Sequence, residues 1–240
     1  MMFINASPYP WPYNGDFSAE NTALLVIDMQ ADFVSKGGWV DKQGYDIALT
    51  ARAVGPIQRL LAVARTVKGF TIIHTREGHR PDLSDLPENK LWRSRRIGAA
   101  IGSEGPLGRL LIRGEKGWNI IPELYPQPGE IVIDKPGKGA FYATDLEAIL
   151  RKRHISNLIF TGVTTDCCVS TTLRDANDRG YECITLEDCT GATIFTNHES
   201  TLSTIQTTGG LFGCVSSSGP VIEALRQLAQ QQKEAENDDD

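Results

Sequence analysis

Short apolar, β-branched runs alternate along the chain with segments whose apolar residues recur at helical spacing. Thr22 to Ile27, Phe70 to His74, Ile131 to Ile133, Ile155 to Thr161, Glu182 to Leu186 and Leu211 to Val215 read as strands. Helices are predicted near Pro56 to Lys68, Thr144 to Arg153, Ser170 to Arg179, His198 to Thr207 and from Pro220 onward. Runs that are apolar at consecutive positions belong to strands covered on both faces. The alternation therefore predicts an α/β fold, a three-layer αβα sandwich around a mainly parallel, Rossmann-like sheet of about six strands. Only the stretch from Arg80 to Pro128 breaks the rhythm. It is longer than most structureless loops in a compact domain, so it is expected to pack against something, and a subunit interface carrying Trp92, Trp118 and Tyr125 is the expectation here.

Composition bounds this picture without changing it. A chain of 240 residues, 40% hydrophobic, is enough for one full α/β domain and short for two, so a single domain is expected over residues 1–232. The end, KEAENDDD, reads as a disordered acidic tail over 233–240. It carries five of the 30 acidic residues set against 24 basic ones, which leaves the remainder near neutral and without a nucleic-acid footprint. No window reaches the roughly 18 to 20 apolar residues of a membrane span, and the first residues lack the order of a secretion signal. Five cysteines at irregular spacing fit a reducing compartment, so a cytoplasmic protein with no membrane partner is expected.

Ligands of open parallel sheets sit beyond the carboxyl ends of the strands, and three chemically pointed residues fall there. Gly162-Val-Thr-Thr-Asp-Cys-Cys168-Val169 converts an apolar strand into a helix start at a cysteine. Helix N–H groups and the positive helix end would lower the pKa of that thiol and could receive an oxyanion. Asp28 follows four apolar residues of the first strand, and Lys135 ends the strand at Ile131. A nucleophile, a proton acceptor and an electrostatic support would then meet in one crevice. Each residue also has a plainer reading: a small packing residue for Cys168, a turn former for Asp28, a solvated strand end for Lys135. Their convergence on one crevice favours the chemical reading.

Three motifs extend this to a family. Val26-Ile-Asp28-Met-Gln30-Ala-Asp32-Phe33, Lys135-Pro-Gly-Lys138-Gly-Ala-Phe141 and Gly162-Val-Thr-Thr-Asp-Cys-Cys168-Val, the last followed by Arg174-Asp-Ala, resemble the isochorismatase-like cysteine hydrolases in order and separation. The resemblance implies a catalytic triad of Asp28, Lys135 and Cys168, with Cys168 preferred to Cys167 and Lys135 to Lys138. It further implies a cis peptide between Val163 and Thr164, an oxyanion hole from the backbone of Thr164 and Cys168, amide hydrolysis through a thioester, no cofactor, and a homotetramer.

Substrate class is read more narrowly. Family members that act on carbamoyl amino acids hold the carboxylate with an arginine after the strand that follows the nucleophile helix. Here Asp188-Cys-Thr-Gly-Ala-Thr193 has no cation, and none follows until Arg226, which favours an uncharged substrate. His74 and His79 lack the leading aspartate of a nicotinamidase metal set, so no metal site is expected. The Pro8-Tyr-Pro-Trp-Pro-Tyr-Asn14 segment, the His74 to Leu83 stretch, Trp92-Arg-Ser-Arg-Arg and Lys135-Pro-Gly-Lys-Gly look like biuret hydrolases. The expected partner is a small neutral urea-type substrate, with Phe33, Arg76, Glu77 and Thr208 as candidate substrate-binding residues. Thr208, standing where that branch has glutamine, lengthens the expected pocket and favours triuret over biuret. The alternatives are a ureidoacrylate or other carbamoyl amidohydrolase, with Arg76 as a possible carboxylate holder, and a non-catalytic relative.

Overall fold

The computed structural model describes residues 1–238. In chain order, β1 (Thr22–Ile27) is followed by three short helices, α1 (Ala31–Val34), α2 (Trp39–Lys42) and α3 (Ala48–Ala51), then by α4 (Val54–Ala64), β2 (Thr71–Glu77) and α5 (Glu88–Arg96). A small hairpin of β3 (Glu104–Gly105) and β4 (Gly108–Arg109) leads to β5 (Ile131–Lys135), α6 (Leu146–Lys152) and β6 (Asn157–Val163). The chain ends with α7 (Ser170–Asp178), β7 (Glu182–Gly191), α8 (Phe195–Gly210), β8 (Cys214–Ser216) and α9 (Ser218–Asp238).

Six strands form one parallel sheet in the order β5-β2-β1-β6-β7-β8. Every residue of β1 and β6 is buried, as central strands covered on both faces must be. Side chains of β1 alternate between two cores. Leu24 and Val26 join Ile57, Leu60 and Leu61 of α4 and Val221 and Leu225 of α9 on one face. Ala23, Leu25 and Ile27 join Leu146 of α6, Leu173 of α7 and Leu202 of α8 on the other. The three-layer α/β architecture expected from the sequence is thus present. Strand order reverses between β1 and β6, and the crevice beyond their carboxyl ends is the topological switch point where such sheets take ligands.

Two stretches carry more secondary structure than the sequence pattern suggested. The stretch from Arg80 to Pro128 is structured and folds onto its own chain: it holds α5, the β3–β4 hairpin and a turn at Pro122–Leu124, and it buries Leu110, Leu111, Ile112 and Leu124. Trp118 is buried there too, whereas Trp92 and Tyr125 are exposed. The acidic end is also ordered further than expected, since α9 continues to Asp238; Gln, Lys, Glu and Ala favour helix, and Gln232 and Glu236 contact Lys68. The last two residues of that tail lie outside the described residues. The N-terminal segment covers the outer edge of β8 through a Ser7–Val215 bridge and buries Trp11 completely. Among the described residues no helix is long and apolar enough to cross a membrane.

Candidate active site

Asp28, Lys135 and Cys168 meet at the switch point, all three buried. Asp28 leaves β1 with a φ of 50°. Its Oδ1 accepts the Thr75 hydroxyl at 2.6 Å, and its Oδ2 lies 2.7 Å from Lys135 Nζ without a well-aligned hydrogen bond. Lys135 Nζ also donates to the carbonyls of Gly137 at 2.9 Å and Lys138 at 2.8 Å, so the ammonium is fully coordinated despite its burial.

Cys168 lies in a π-helical turn, Thr165–Val169, that precedes α7. The Val163–Thr164 peptide at its entry is cis. Thr172 of α7 donates to the Cys168 carbonyl at 2.7 Å, and the Thr165 hydroxyl pairs with His198 of α8 at 2.8 Å, so the turn is held from two helices.

Glu77, expected to bind substrate, stands within this cluster. The Cys168 thiol donates to its Oε2 at 3.2 Å, and one donor atom each from Asp28, Glu77 and Cys168 lie within 4.8 Å of one another. Asp28, Lys135, Glu77 and Lys90 form a chain of alternating charge with successive separations of 2.7, 3.7 and 2.6 Å. Lys135 fills the cationic position among the carboxylates. Gln30 fixes Glu77 from behind: its amide donates to the Glu77 carbonyl at 2.9 Å and to the Trp118 carbonyl at 2.7 Å, while its Oε1 accepts the Glu77 N–H at 2.7 Å. The Asp-x-Gln motif therefore supplies the Asp28 carboxylate and a clamp on Glu77.

Charge states follow from these neighbours. Burial would raise the Glu77 carboxyl, but Lys135, Lys90 and Lys138 outweigh it and bring Glu77 to about 2. Burial, reinforced by Glu77, raises Asp28 above the ordinary carboxylate range against the pull of Lys135 and Thr75. Asp28 is thus the more basic carboxylate of the two. The Cys167 thiol, burial and the two carboxylates raise Cys168, Lys135 opposing them. The helix start was expected to lower this thiol; its surroundings instead raise it. Cys167 is the more acidic neighbour, brought down to about 7 first by its contact with Cys168 and then by Lys138.

A cavity of about 630 Å³ opens beside this centre, lined by Trp39, Lys90, Arg93, Ile97, Lys138 and Tyr142 among others. Burial works against the Lys138 charge, yet Glu77 and the two thiols hold its ammonium above the ordinary lysine range. Sequence reasoning set Lys138 aside for Lys135 and missed Lys90, which lies on a helix hidden in the irregular stretch. A Pro87-Glu88 start and the helix-favouring run after it were the available signals.

Other expected substrate contacts fall elsewhere. Phe33 stands behind the cavity wall, its ring edge-on to Trp39 with centroids 6.0 Å apart. Arg76 points to the opposite face of β2 from Thr75 and Glu77; its guanidinium pairs with Asp134 at 2.7 Å and covers the Trp118 ring at 3.9 Å. Alternation along a strand makes this unavoidable once Glu77 faces the thiol. Thr208 is exposed in the kinked last turn of α8, with a φ of 56°, shortly before the start of β8. Since α8 runs back from the crevice to the amino edge of the sheet, Thr208 is at the wrong end of the subunit to read substrate at Cys168, and the pocket-length inference is withdrawn. Nor does the lack of a cation after β7 leave the site without one, because α5 and the loop after β5 supply them. His74 and His79 take separate carboxylates, Glu130 at 2.9 Å and Asp85 at 3.2 Å.

Comparison with known proteins agrees with this geometry. The isochorismatase domain matches residues 22–217. The chain is 35% identical to the ureidoacrylate amidohydrolase RutB of Yersinia enterocolitica, over 79% of this chain and 81% of that one. It is 36% identical to the enzyme of the same name from Methylorubrum extorquens, over 72% and 71%. A cysteine hydrolase structure from Pseudomonas syringae superposes with a TM-score of 0.74 at 26% identity, covering 95% of this chain and 99% of that chain. N-carbamoylsarcosine amidase from Thermoplasma acidophilum does so with 0.63 at 27% identity, covering 83% and 97%. These relatives do not carry the narrower likeness to biuret hydrolases. Together with the domain match, they show that the chain belongs to the isochorismatase-like cysteine hydrolase family and is an amidohydrolase.

Proposed function

We propose that the chain hydrolyses the terminal carbamoyl amide of a small linear ureido compound through a thioester on Cys168. The observation that carries this reading is the buried Cys168 thiol within 4.8 Å of the Asp28 and Glu77 carboxylates, with Lys135 beside both. Asp28, the more basic carboxylate, accepts the thiol proton as Sγ attacks the carbonyl carbon. Backbone N–H groups of Thr164 and Cys168 receive the oxyanion. The C–N bond then breaks, Asp28 returns its proton to the departing nitrogen, and ammonia leaves. Water adds to the thioester and releases the carbamic acid and the free thiol.

The substrate favoured is a ureido acid of the ureidoacrylate type. The relatives named above support it, and so does Lys138, a solvent-exposed ammonium at the cavity wall without an ion-pair partner among the described residues. The second reading is a neutral urea oligomer, triuret or biuret, which would give carboxybiuret or allophanate with ammonia. Glu77 favours it, because a carboxylate beside the thiol accepts the N–H groups that such chains present. A homo-oligomer, the tetramer implied by the family resemblance, accompanies either reading. Exposed Trp92, Ile97 and Tyr142 near the cavity support that assembly, which light scattering at micromolar concentration tests.

The deciding experiment measures ammonia released from ureidoacrylate, biuret and triuret separately, with Cys168→Ser alongside. Fastest turnover of ureidoacrylate, absent in the variant, supports the first reading. Turnover confined to the urea oligomers keeps the mechanism and replaces the substrate. Equal release by the variant overturns the mechanism.

A further inference from the structure

We infer that Lys90 is a positioning residue that ties α5, the outer wall of the cavity, to the carboxylate that receives the Cys168 thiol. Lys90 Nζ lies 2.6 Å from Glu77 Oε1 and donates to the Pro136 carbonyl at 3.1 Å, so one ammonium joins α5, the end of β2 and the loop after β5. With Oε1 occupied in this way, Oε2 is left to face Cys168 at 3.2 Å. Helix α5 has few other holds on the body of the protein: Ser94 is its one buried residue, and its hydroxyl accepts the Ile101 N–H at 3.1 Å.

The charged and titratable groups around Glu77 come from every side. Lys135 comes from β5, Lys138 from the following loop, Asp28 from the end of β1, Cys167 and Cys168 from the nucleophile turn, His79 from just after β2 and Lys90 from α5. Of the three cations, Lys135 also serves Asp28 and Lys138 makes no ion pair with Glu77, so Lys90 is the cation committed to this carboxylate. Without it, buried Glu77 becomes more basic and competes with Asp28 for the thiol proton. The reaction centre then needs a higher pH to reach the same state.

The test uses the full-length protein and two readouts. Cys168 alkylation by iodoacetamide, read in a Cys167→Ser background by peptide mass against pH, needs no substrate; kcat and KM for ammonia release use the best of the ureido compounds. Lys90→Met is expected to move the acid limb of alkylation up by about one pH unit and lower kcat about tenfold. Lys90→Arg is expected to restore both. Lys90→Gln keeps a donor without the charge, and is expected to shift the limb even if the methionine variant fails to fold. An unmoved limb in the methionine and glutamine variants, with only a lower melting temperature, would overturn the proposal. Because alkylation is read without substrate, failure of every ureido compound would reject the substrate assignment and leave this inference to be decided by the limb alone.

Discussion

Asp28 and Lys135 stand on strands that are not neighbours, yet Oδ2 and Nζ are 2.7 Å apart across the end of β2. The left-handed conformation of Asp28 and the ammonium's three oxygen contacts are what let the two reach over the intervening strand. An aspartate tolerates that conformation better than most residues, and a long side chain is needed from the other side.

The pair should therefore be costly to break from one side. Lys135→Met leaves two buried carboxylates without their shared cation and is expected to destabilise the protein by about 3–5 kcal/mol. Asp28→Asn with Lys135→Met should recover much of that loss at neutral pH while releasing no ammonia. Urea denaturation paired with an ammonia assay separates the two effects. Equal stability of the single and double variants would show that the ion pair is not what the site depends on.

Gly162 makes the approach of β6 to β1 possible beside that pair. Its φ is 101°, and a Cβ there would stand 2.0 Å from the Ile27 carbonyl oxygen and 2.6 Å from the Ile27 nitrogen. Backbone cannot yield as a flexible side chain does. Gly162→Ala is expected to cost about 2–4 kcal/mol, with loss of activity from displaced Asp28 and Cys168 turns. Thermal melting checks it, and a melting temperature within a degree of the parent would contradict the close approach.

Much of this was legible in the sequence because strand ends advertise themselves. Asp28 and Lys135 each follow an apolar run, and Cys168 follows a glycine-initiated turn, so the rule that parallel sheets bind at their carboxyl ends brought the three to one crevice, while the choice of Cys168 over Cys167 and Lys135 over Lys138 came from the family resemblance. Glu77 was found as a nearby polar residue, but its place at the thiol depends on the parity of β2, which a one-residue change of face would send to Asp134 as it does Arg76. Lys90 and Lys138 could not be assigned, since their relation to Glu77 depends on how α5 folds back over the sheet. Thr208 was misplaced for the same reason: a likeness of motif carries no information about which edge of the sheet a residue occupies.

Acid sensitivity should centre in part on Glu130, at the other end of the same sheet edge. Burial alone would raise its carboxyl, but His74, Arg65 and the Gln127 N–H outweigh it and bring it to about 2. A carboxyl lowered in the folded state stabilises fully above its unfolded value, near 4.5, and loses that contribution as pH falls toward 2. Its partial exposure holds the effect to about 2 kcal/mol. Glu130→Gln is expected to be less stable than the parent by that amount at pH 7, with the gap closing on acidification. Chemical denaturation at pH 7 and pH 3 measures it, and a gap that stays constant with pH would rule out the ionised carboxylate as its source.

Lys138 provides the sharpest test of substrate charge. It lines the cavity beside Glu77, its ammonium is held in the charged form, and no carboxylate of the described residues pairs with it. A substrate carboxylate arriving there would gain an ion pair with this exposed ammonium, whereas a neutral urea chain would gain at most a hydrogen bond. Lys138→Met should accordingly raise KM for ureidoacrylate about three- to fivefold and leave KM for biuret and triuret nearly unchanged, since an exposed ion pair contributes at most about 1 kcal/mol. Steady-state kinetics on the three compounds measure the contrast. Equal increases for charged and neutral substrates would mean that Lys138 acts through Glu77 and the thiol rather than on the substrate. A selective loss for the urea oligomers would reverse the preferred substrate class.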